Sequence, residues 1–268
     1  MKGPSALLTI AAAHHDGEMA RISLYRRPET MDEAFTCLDR PGAVVIGGGL
    51  RVNPGPSAEP IEVVDLQALG LSGIEPQDAG RLRIGSMTNL QQLADSGVVP
   101  ASLRDAARRE QPSTLRSQAT LGGCVVSADP ESELLAVLLV HGAVVHTTRR
   151  AQEALCPVEK FLSSLPLLAG TIVTAVTIET GGDVVARRTG RTRADGAIVS
   201  AVGRRTRSGG LQLAMSGVGA TPLLLNISDG TVGQALADLA PPDDFRGSRE
   251  YRRALATVLA TRVLEGIG

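Results

Sequence analysis

Two glycine runs each follow an apolar segment: Val44-Val45-Ile46-Gly47-Gly48-Gly49-Leu50, and Ala119-Thr120-Leu121-Gly122-Gly123-Cys124, the second leading into Ala128-Asp129-Pro130. A glycine run after a β-branched strand exposes backbone N–H groups with no side chains in the way, so a diphosphate can approach the main chain closely. Neither run has the GxGxxG or GxxxxGK(S/T) spacing of the common nucleotide loops. Two such runs in one chain suit a long, phosphate-bearing ligand held at two points, and a tight turn with positive φ is the alternative for either run alone. Beside the second run, Asp129-Pro130-Glu131 carries the capping chemistry of a helix N-terminus. His14, His15, His141 and His146 show no metal-ligand spacing with acids or thiols, and no Ser/His/Asp set is suggested. No metal site and no catalytic nucleophile are expected.

Composition narrows the classes. The 268 residues are 43% hydrophobic and 21% charged with a net charge of −1, a soluble globular balance that gives no global pull toward nucleic acid or acidic lipid. The chain has no Trp, two Tyr and three Phe, so the core must be built from aliphatic side chains and base stacking has little to work with. Cys37, Cys124 and Cys156 are widely spaced, form no CxxC, and read as reduced thiols of a cytoplasmic protein. The first residues mimic a very short signal peptide, but the single Lys2 and the brief apolar stretch after it argue against export. The longest buried-looking run, 134–145, is interrupted by His141 and Gly142 and falls short of the ~20 residues a bilayer span requires, so no membrane insertion is expected.

The elements that must position the glycine runs follow from periodicity. Residues 1–20 read as an extension. A strand at 21–25, a helix at 31–38 and a strand at 43–46 form a βαβ unit whose strands are expected to pair in parallel across the helix. The first glycine run then enters a turn-rich stretch at 53–57. Strands are expected at 62–66 and 81–84, helices at 89–95 and 101–109, a helix at 131–139, and strands at 143–147 and 172–178. Residues 195–202 read as helical or extended, and 211–215 as a strand. In 248–264, apolar Tyr251, Leu255, Val258, Leu259 and Val263 make one face of a helix. The expected division is an extension at 1–20, a small αβ subdomain at 21–60, a larger αβ subdomain at 61–179 and a C-terminal α+β subdomain at 180–268.

An ordered set of short motifs carries a resemblance across nearly the whole chain: Tyr25-x-x-Pro28 with Glu33-Ala34, Gly47-Gly48, Val64-Asp65-Leu66, Ile84-Gly85-Ser86-Met87-Thr88, Thr120-x-Gly122-Gly123 followed by Ala128-Asp129-Pro130, and Gly247-Ser248-x-x-Tyr251-Arg252-Arg253. In this order the chain resembles the FAD-binding medium subunit of molybdenum hydroxylases, the group that includes carbon monoxide dehydrogenase and the flavin part of xanthine dehydrogenase. The resemblance implies an α+β, PCMH-type FAD-binding fold with two αβ subdomains and a C-terminal subdomain of antiparallel sheet and helix. It also implies one FAD in this chain, with a large molybdenum-cofactor subunit and a small subunit carrying [2Fe-2S] clusters as partners, in a dimer of heterotrimers. The flavin would relay electrons from the iron–sulfur subunit to an external acceptor while substrate is oxidised in another chain.

The same resemblance implies roles for individual residues. Ile46, Gly47, Gly48, Gly49 and Leu50 would form the first diphosphate clamp, and Thr120, Gly122, Gly123 and Cys124 the second. Ala128, Asp129 and Glu133 would face ribityl or ribose hydroxyls, Ile172 and Val173 would flank the ring system, with core packing as the alternative, and Arg188 would stand near the flavin as a fixed cation. Relatives often carry polar residues where this chain has Gly49, Leu50 and Cys124, and an aromatic where it has Gly196. These departures keep a second function open, a structural subunit of the same complex that has lost flavin. A nucleic-acid role for the seven arginines from Arg187 to Arg207 is disfavoured by the near-neutral charge and scarce aromatics; a solvated or subunit-contacting face is the simpler reading of that segment.

Overall fold

The computed structural model describes residues 22–50, 60–150, 152–192, 195–225, 227 and 232–267. The expected extension at 1–20 and the turn-rich stretch at 53–57 lie outside the described residues.

The first layer is small. Strand β1 (Ile22–Arg26) leads to helix α1 (Met31–Leu38), begun where the Thr30 hydroxyl accepts the Glu33 amide, and then to β2 (Ala43–Ile46) and β3 (Ile61–Asp65). The three strands are parallel in the order β1-β3-β2. The expected direct pairing of the first two strands is therefore not made, because β3 lies between them. The reason is burial: Val63, Val64 and Asp65 are all buried, and the strand closed over on both faces takes the centre of a parallel sheet. Residues 61–65, assigned from sequence to the larger subdomain, thus complete the small sheet.

The second layer is a five-stranded antiparallel sheet of order β4-β5-β8-β6-β7, from β4 (Ile74–Gln77), β5 (Arg81–Gly85), β6 (Val144–Arg149), β7 (Gln152–Pro157) and β8 (Ile172–Glu179). Helices α2 (Leu90–Asp95), α3 (Ala101–Glu110), α4 (Leu121–Ser127) and α5 (Glu133–Val140) lie between β5 and β6, and α6 (Val158–Ser163) follows β7. Every residue of α5 is buried. A helix that is apolar all round must be covered on all sides. Its partners are α3, α6 and strands of the third layer.

That third layer is an antiparallel sheet, β12-β11-β10-β9, built from β9 (Asp183–Thr189), β10 (Val199–Arg205), β11 (Leu211–Ser216) and β12 (Leu223–Leu225), followed by α7 (Val232–Ala237) and α8 (Arg249–Ile267). Val202 and Ala214 point to the α5 core, while Val199, Ala201, Leu213 and Met215 join the α8 core, so the sheet is apolar on both faces. The expected apolar face of the last helix is rotated. Tyr251 and Val258 are exposed, and Arg252, Ala256, Leu259, Ala260, Val263 and Ile267 face the sheet. The fully buried Arg252 explains the shift: its guanidinium donates to the Ile198 and Gly217 carbonyls and to Glu131 and Asp244, and this satisfies the charge inside the core. No described helix is long and apolar enough to cross a bilayer.

Candidate functional site

The two glycine runs meet, but they do different things. A Cβ on Gly48 would lie 1.6 Å from the Gln118 carbonyl oxygen, and one on Gly47 would lie 2.7 Å from Thr120 Oγ1. The first loop can reach the second only because both positions lack a side chain. Gly49 has φ of +76° with open space around it, so its constraint is the backbone conformation alone. Among the described residues, the amides of Gly48 and Gly49 make no loop hydrogen bond.

The second run is not a loop. Thr120 caps α4, its hydroxyl accepting the Gly123 amide at 3.1 Å, while the amides of Leu121 and Gly122 donate to the carbonyls of Thr88 and Ser86 at 2.9 and 2.8 Å. Its glycines are there for contact, since a Cβ on Gly122 would lie 2.8 Å from the Ser86 Cβ. The two expected backbone clamps are thus a loop and the first turn of a helix, with the loop resting on the residues that begin that turn. The helix start was not visible in the sequence because Gly-Gly has poor helix propensity; tertiary contacts with residues 86–88 supply the missing stability.

Together these segments wall a cleft of about 250 Å³. Ile46, Gly47, Gly48, Gly49 and Leu50 of the first run and Thr120, Gly122, Gly123, Cys124, Val126 and Ser127 of the second line it, with Leu66, Ser86, Met87, Leu167, Thr171, Val173, Glu110 and Gln111. Most of the lining surface is apolar. Ser86, part of the Ile84–Thr88 motif but not among the expected site residues, is 2% exposed, and its hydroxyl has no hydrogen-bond partner among the described residues.

Beyond Glu110 and Gln111, and sharing both, is a smaller polar pocket of about 110 Å³ lined by Arg109, Asp129, Glu131, Ser132, Glu133, Arg188, Gly196, Ala197 and Arg246. The expected site residues therefore divide. Those of the glycine runs and Val173 line the cleft, while Asp129, Glu133 and Arg188 line the polar pocket. Ala128 and Ile172 line neither: Ala128 is the left-handed C-cap of α4, and Ile172 packs with Ala34, Leu38 and Val64 in the core of the small layer.

The charges of the polar pocket are largely paired. Glu133, 5% exposed, receives Arg109 at both oxygens, at 2.5 and 3.1 Å, and Arg188 at 3.8 Å. Arg188 also donates to the Asp195 carbonyl. Glu131 pairs with Arg246 and Arg252, and an Asp129 oxygen accepts the Glu131 amide at 3.0 Å. Glu110 differs. Its carboxyl accepts the Leu134 amide at 3.4 Å and bonds to Ser132, and burial, with Asp129 and Glu133 nearby, pushes it up to about 7.

A third hollow, near the N-terminal end of α3, contains a Ser–His pair that the sequence did not reveal. Ser102 Oγ lies 2.9 Å from His141 Nε2, and His141 Nδ1 lies 2.7 Å from the Glu179 carbonyl. Burial lowers the imidazole to about 4, so it is a poor proton acceptor at neutral pH and works as a neutral link between α3 and β8. Among the described residues no group of three or more His, Cys, Asp or Glu is arranged to hold a metal ion.

The chain has close relatives in architecture and sequence. Residues 18–179 match the family described as the FAD binding domain in molybdopterin dehydrogenase. The protein YgfM of Escherichia coli K12, described as uncharacterized, is 30% identical over 253 residues, covering 89% of this chain and 93% of its own length. The carbon monoxide dehydrogenase medium chain of Afipia carboxidovorans is 27% identical, covering 90% and 95%. Among solved structures, quinoline 2-oxidoreductase from Pseudomonas putida superposes with a TM-score of 0.81 at 24% identity, covering 94% of this chain and 98% of that one. A carbon monoxide dehydrogenase from Hydrogenophaga pseudoflava gives 0.81 at 21%, covering 92% and 97%. With more than half its length inside the family match and a relative at 30% identity along most of both chains, the protein belongs to the family of FAD-binding domains of molybdopterin dehydrogenases.

Proposed function

We propose that this chain binds one FAD as the medium subunit of a molybdenum hydroxylase-type oxidoreductase. In this reading it relays electrons from the iron–sulfur clusters of a small partner subunit to an external acceptor, while a large molybdenum-cofactor subunit oxidises the substrate. The assembly would be a cytoplasmic dimer of heterotrimers. The observation that carries the reading is the joined pair of cavities: a cleft walled by the first glycine run and apolar side chains, and an arginine-bearing pocket that shares Glu110 and Gln111 with it.

That sequence of surfaces suits the three parts of FAD. The amides of Gly48 and Gly49, which make no loop hydrogen bond among the described residues, fit a diphosphate, because backbone N–H groups free of side chains can approach an anion closely. Leu50, Leu66, Val126, Leu167 and Val173 exclude water from a planar, largely apolar ring. Arg188 fixes a positive charge in the polar pocket, where it would favour negative charge gained on reduction. The unpartnered Ser86 hydroxyl and the hydroxyl of Thr120 are further polar groups on the same walls. Bound FAD supplies the two-electron chemistry; this chain's residues bind it, orient it and set the field around it.

The test is direct. Purified protein incubated with FAD and passed through a desalting column is expected to retain a flavin absorption spectrum that bleaches with dithionite. A colourless protein that still assembles with molybdenum and iron–sulfur subunits would support the purely structural role instead. Native mass measurement of the complex expressed with its partners reads the proposed stoichiometry.

A further inference from the structure

Glu110 occupies a singular position, and the following inference rests on the flavin reading above. It is the last residue of α3, and together with Gln111 it forms the partition between the aliphatic cleft and the polar pocket. The other carboxylates of that pocket already have cationic partners: Glu133 has Arg109 and Arg188, and Glu131 has Arg246 and Arg252. Asp129 bonds to the Glu131 amide. Glu110 has no salt bridge among the described residues; its polar contacts are the Ser132 side chain and the Leu134 amide, both neutral.

We propose that Glu110 is the proton-exchanging group of the flavin site, taking up a proton from the polar pocket when the flavin is reduced and releasing it when the flavin is reoxidised. The balance is as follows. Two electrons and one proton entering the flavin add one negative charge to the site. A second proton taken by the Glu110 carboxylate cancels that charge. Reoxidation returns both electrons to the acceptor and both protons to solvent. The electrons come from the partner's iron–sulfur cluster in the proposed complex, and from dithionite in the test.

Electrostatics make Glu110 the group that responds. It is the carboxyl in the lining of both cavities, it is desolvated, and it faces the negative charges of Asp129 and Glu133, which oppose its ionisation. Its protonation equilibrium already stands at about 7, so an added negative charge in the neighbouring cleft raises it further, and proton uptake follows reduction at physiological pH. Arg109 and Arg188 pair with Glu133 across the pocket, and Arg246 and Arg252 pair with Glu131, whereas Glu110 has no cationic partner among the described residues. On the cleft side the lining residues of the two glycine runs carry no charge.

The experiment is a reductive titration of the FAD-loaded chain above pH 7 for the wild type, Glu110→Gln and Glu110→Asp, read by visible spectroscopy with redox mediators. Each proton coupled to a two-electron reduction moves the midpoint by about 30 mV per pH unit, the equivalent of a tenfold change in such an equilibrium. The wild type and Glu110→Asp are expected to show two coupled protons and Glu110→Gln one. Infrared difference spectra should show a protonated-carboxyl band gained on reduction, absent in Glu110→Gln. Equal slopes in the wild type and Glu110→Gln, or no change in that band, overturn the proposal while leaving FAD binding intact. Loss of flavin by both variants assigns Glu110 to the structure of the cleft wall and also overturns it. A wild type that retains no flavin identifies a failure of the underlying reading.

Discussion

The Arg109 guanidinium clasps the Glu133 carboxylate at both oxygens, with Nε 3.1 Å from Oε2 and Nη2 2.5 Å from Oε1. This fork joins the end of α3 to the start of α5, and Arg188 brings the C-terminal sheet to the same carboxylate at 3.8 Å. Glu133 is therefore the point where three segments meet around the polar pocket. Glu133, expected to accept a ligand hydroxyl, thus also anchors these segments, and it lines the polar pocket.

Replacing Arg109 with Met is expected to destabilise the protein by about 1–3 kcal/mol, less than the loss for a fully buried pair because Arg109 is 34% exposed and Arg188 remains nearby. Pairing Arg109→Met with Glu133→Leu should recover part of the loss by removing the stranded charge. Urea unfolding of the two single variants and the double gives the coupling. Additive effects would refute the idea that the pair acts as a unit.

Gly48→Ala and Gly49→Ala should behave differently although the residues are adjacent. At position 48 the new methyl would meet the Gln118 carbonyl at 1.6 Å, which forces the loop off the second run; FAD affinity is expected to fall by at least ~100-fold, as for a misplaced binding segment. At position 49 the methyl enters open space, and the cost is the left-handed backbone, about 1–2 kcal/mol. Flavin fluorescence quenching measures the first effect and thermal unfolding of the ligand-free protein the second.

Much of this architecture is written in local patterns, and the exceptions have identifiable causes. The strands at 43–46 and 172–178 and the helix over 131–139 were legible because continuous apolar runs between turn residues leave few alternatives. The central placement of β3 was not, since strand order depends on which strand can be buried on both faces, a property of the assembled sheet. The helical turn at Leu121–Ser127 was hidden by its glycines, and the rotated face of α8 by Arg252, whose burial depends on three partners distant in sequence, Glu131, Ile198 and Gly217, together with Asp244. The first glycine run was legible as a loop with positive φ, which Gly49 adopts. Glu110 was not, because only packing gives an ordinary glutamate at a helix end its place between two cavities.

Ser86→Ala tests a different kind of site residue. The wild-type hydroxyl is buried without a partner, so its removal is expected to stabilise the ligand-free protein by about 1 kcal/mol, in contrast to the usual cost of a core change. A lower melting temperature in the ligand-free variant would mean that the hydroxyl has a stabilising role in the apo fold. FAD titration of the same variant reads whether the hydroxyl also contributes to the cofactor's hold.

Two buried groups should give the protein a pH profile flatter than either alone would produce. His141 is lowered from 6.5 to about 4 by burial, so the folded state resists a proton that the unfolded chain accepts. Its contribution to stability is full above pH 6.5 and is lost as pH falls toward 4. Glu110 is raised from 4.5 to about 7, so the folded state keeps a proton that the unfolded chain gives up. Its contribution is full below pH 4.5 and is lost as pH rises through 7. Each shift corresponds to roughly 3 kcal/mol across its window, and between pH 5 and 6.5 the two slopes have opposite sign. His146, also lowered by burial, adds to the His141 side. Urea unfolding at pH 5, 6 and 7 is therefore expected to show a weak dependence in the wild type and a clear loss of stability toward acid in Glu110→Gln. In His141→Gln stability should rise toward acid. If Glu110→Gln and His141→Gln tilt the profile in the same direction, at least one of these groups does not titrate as its surroundings dictate.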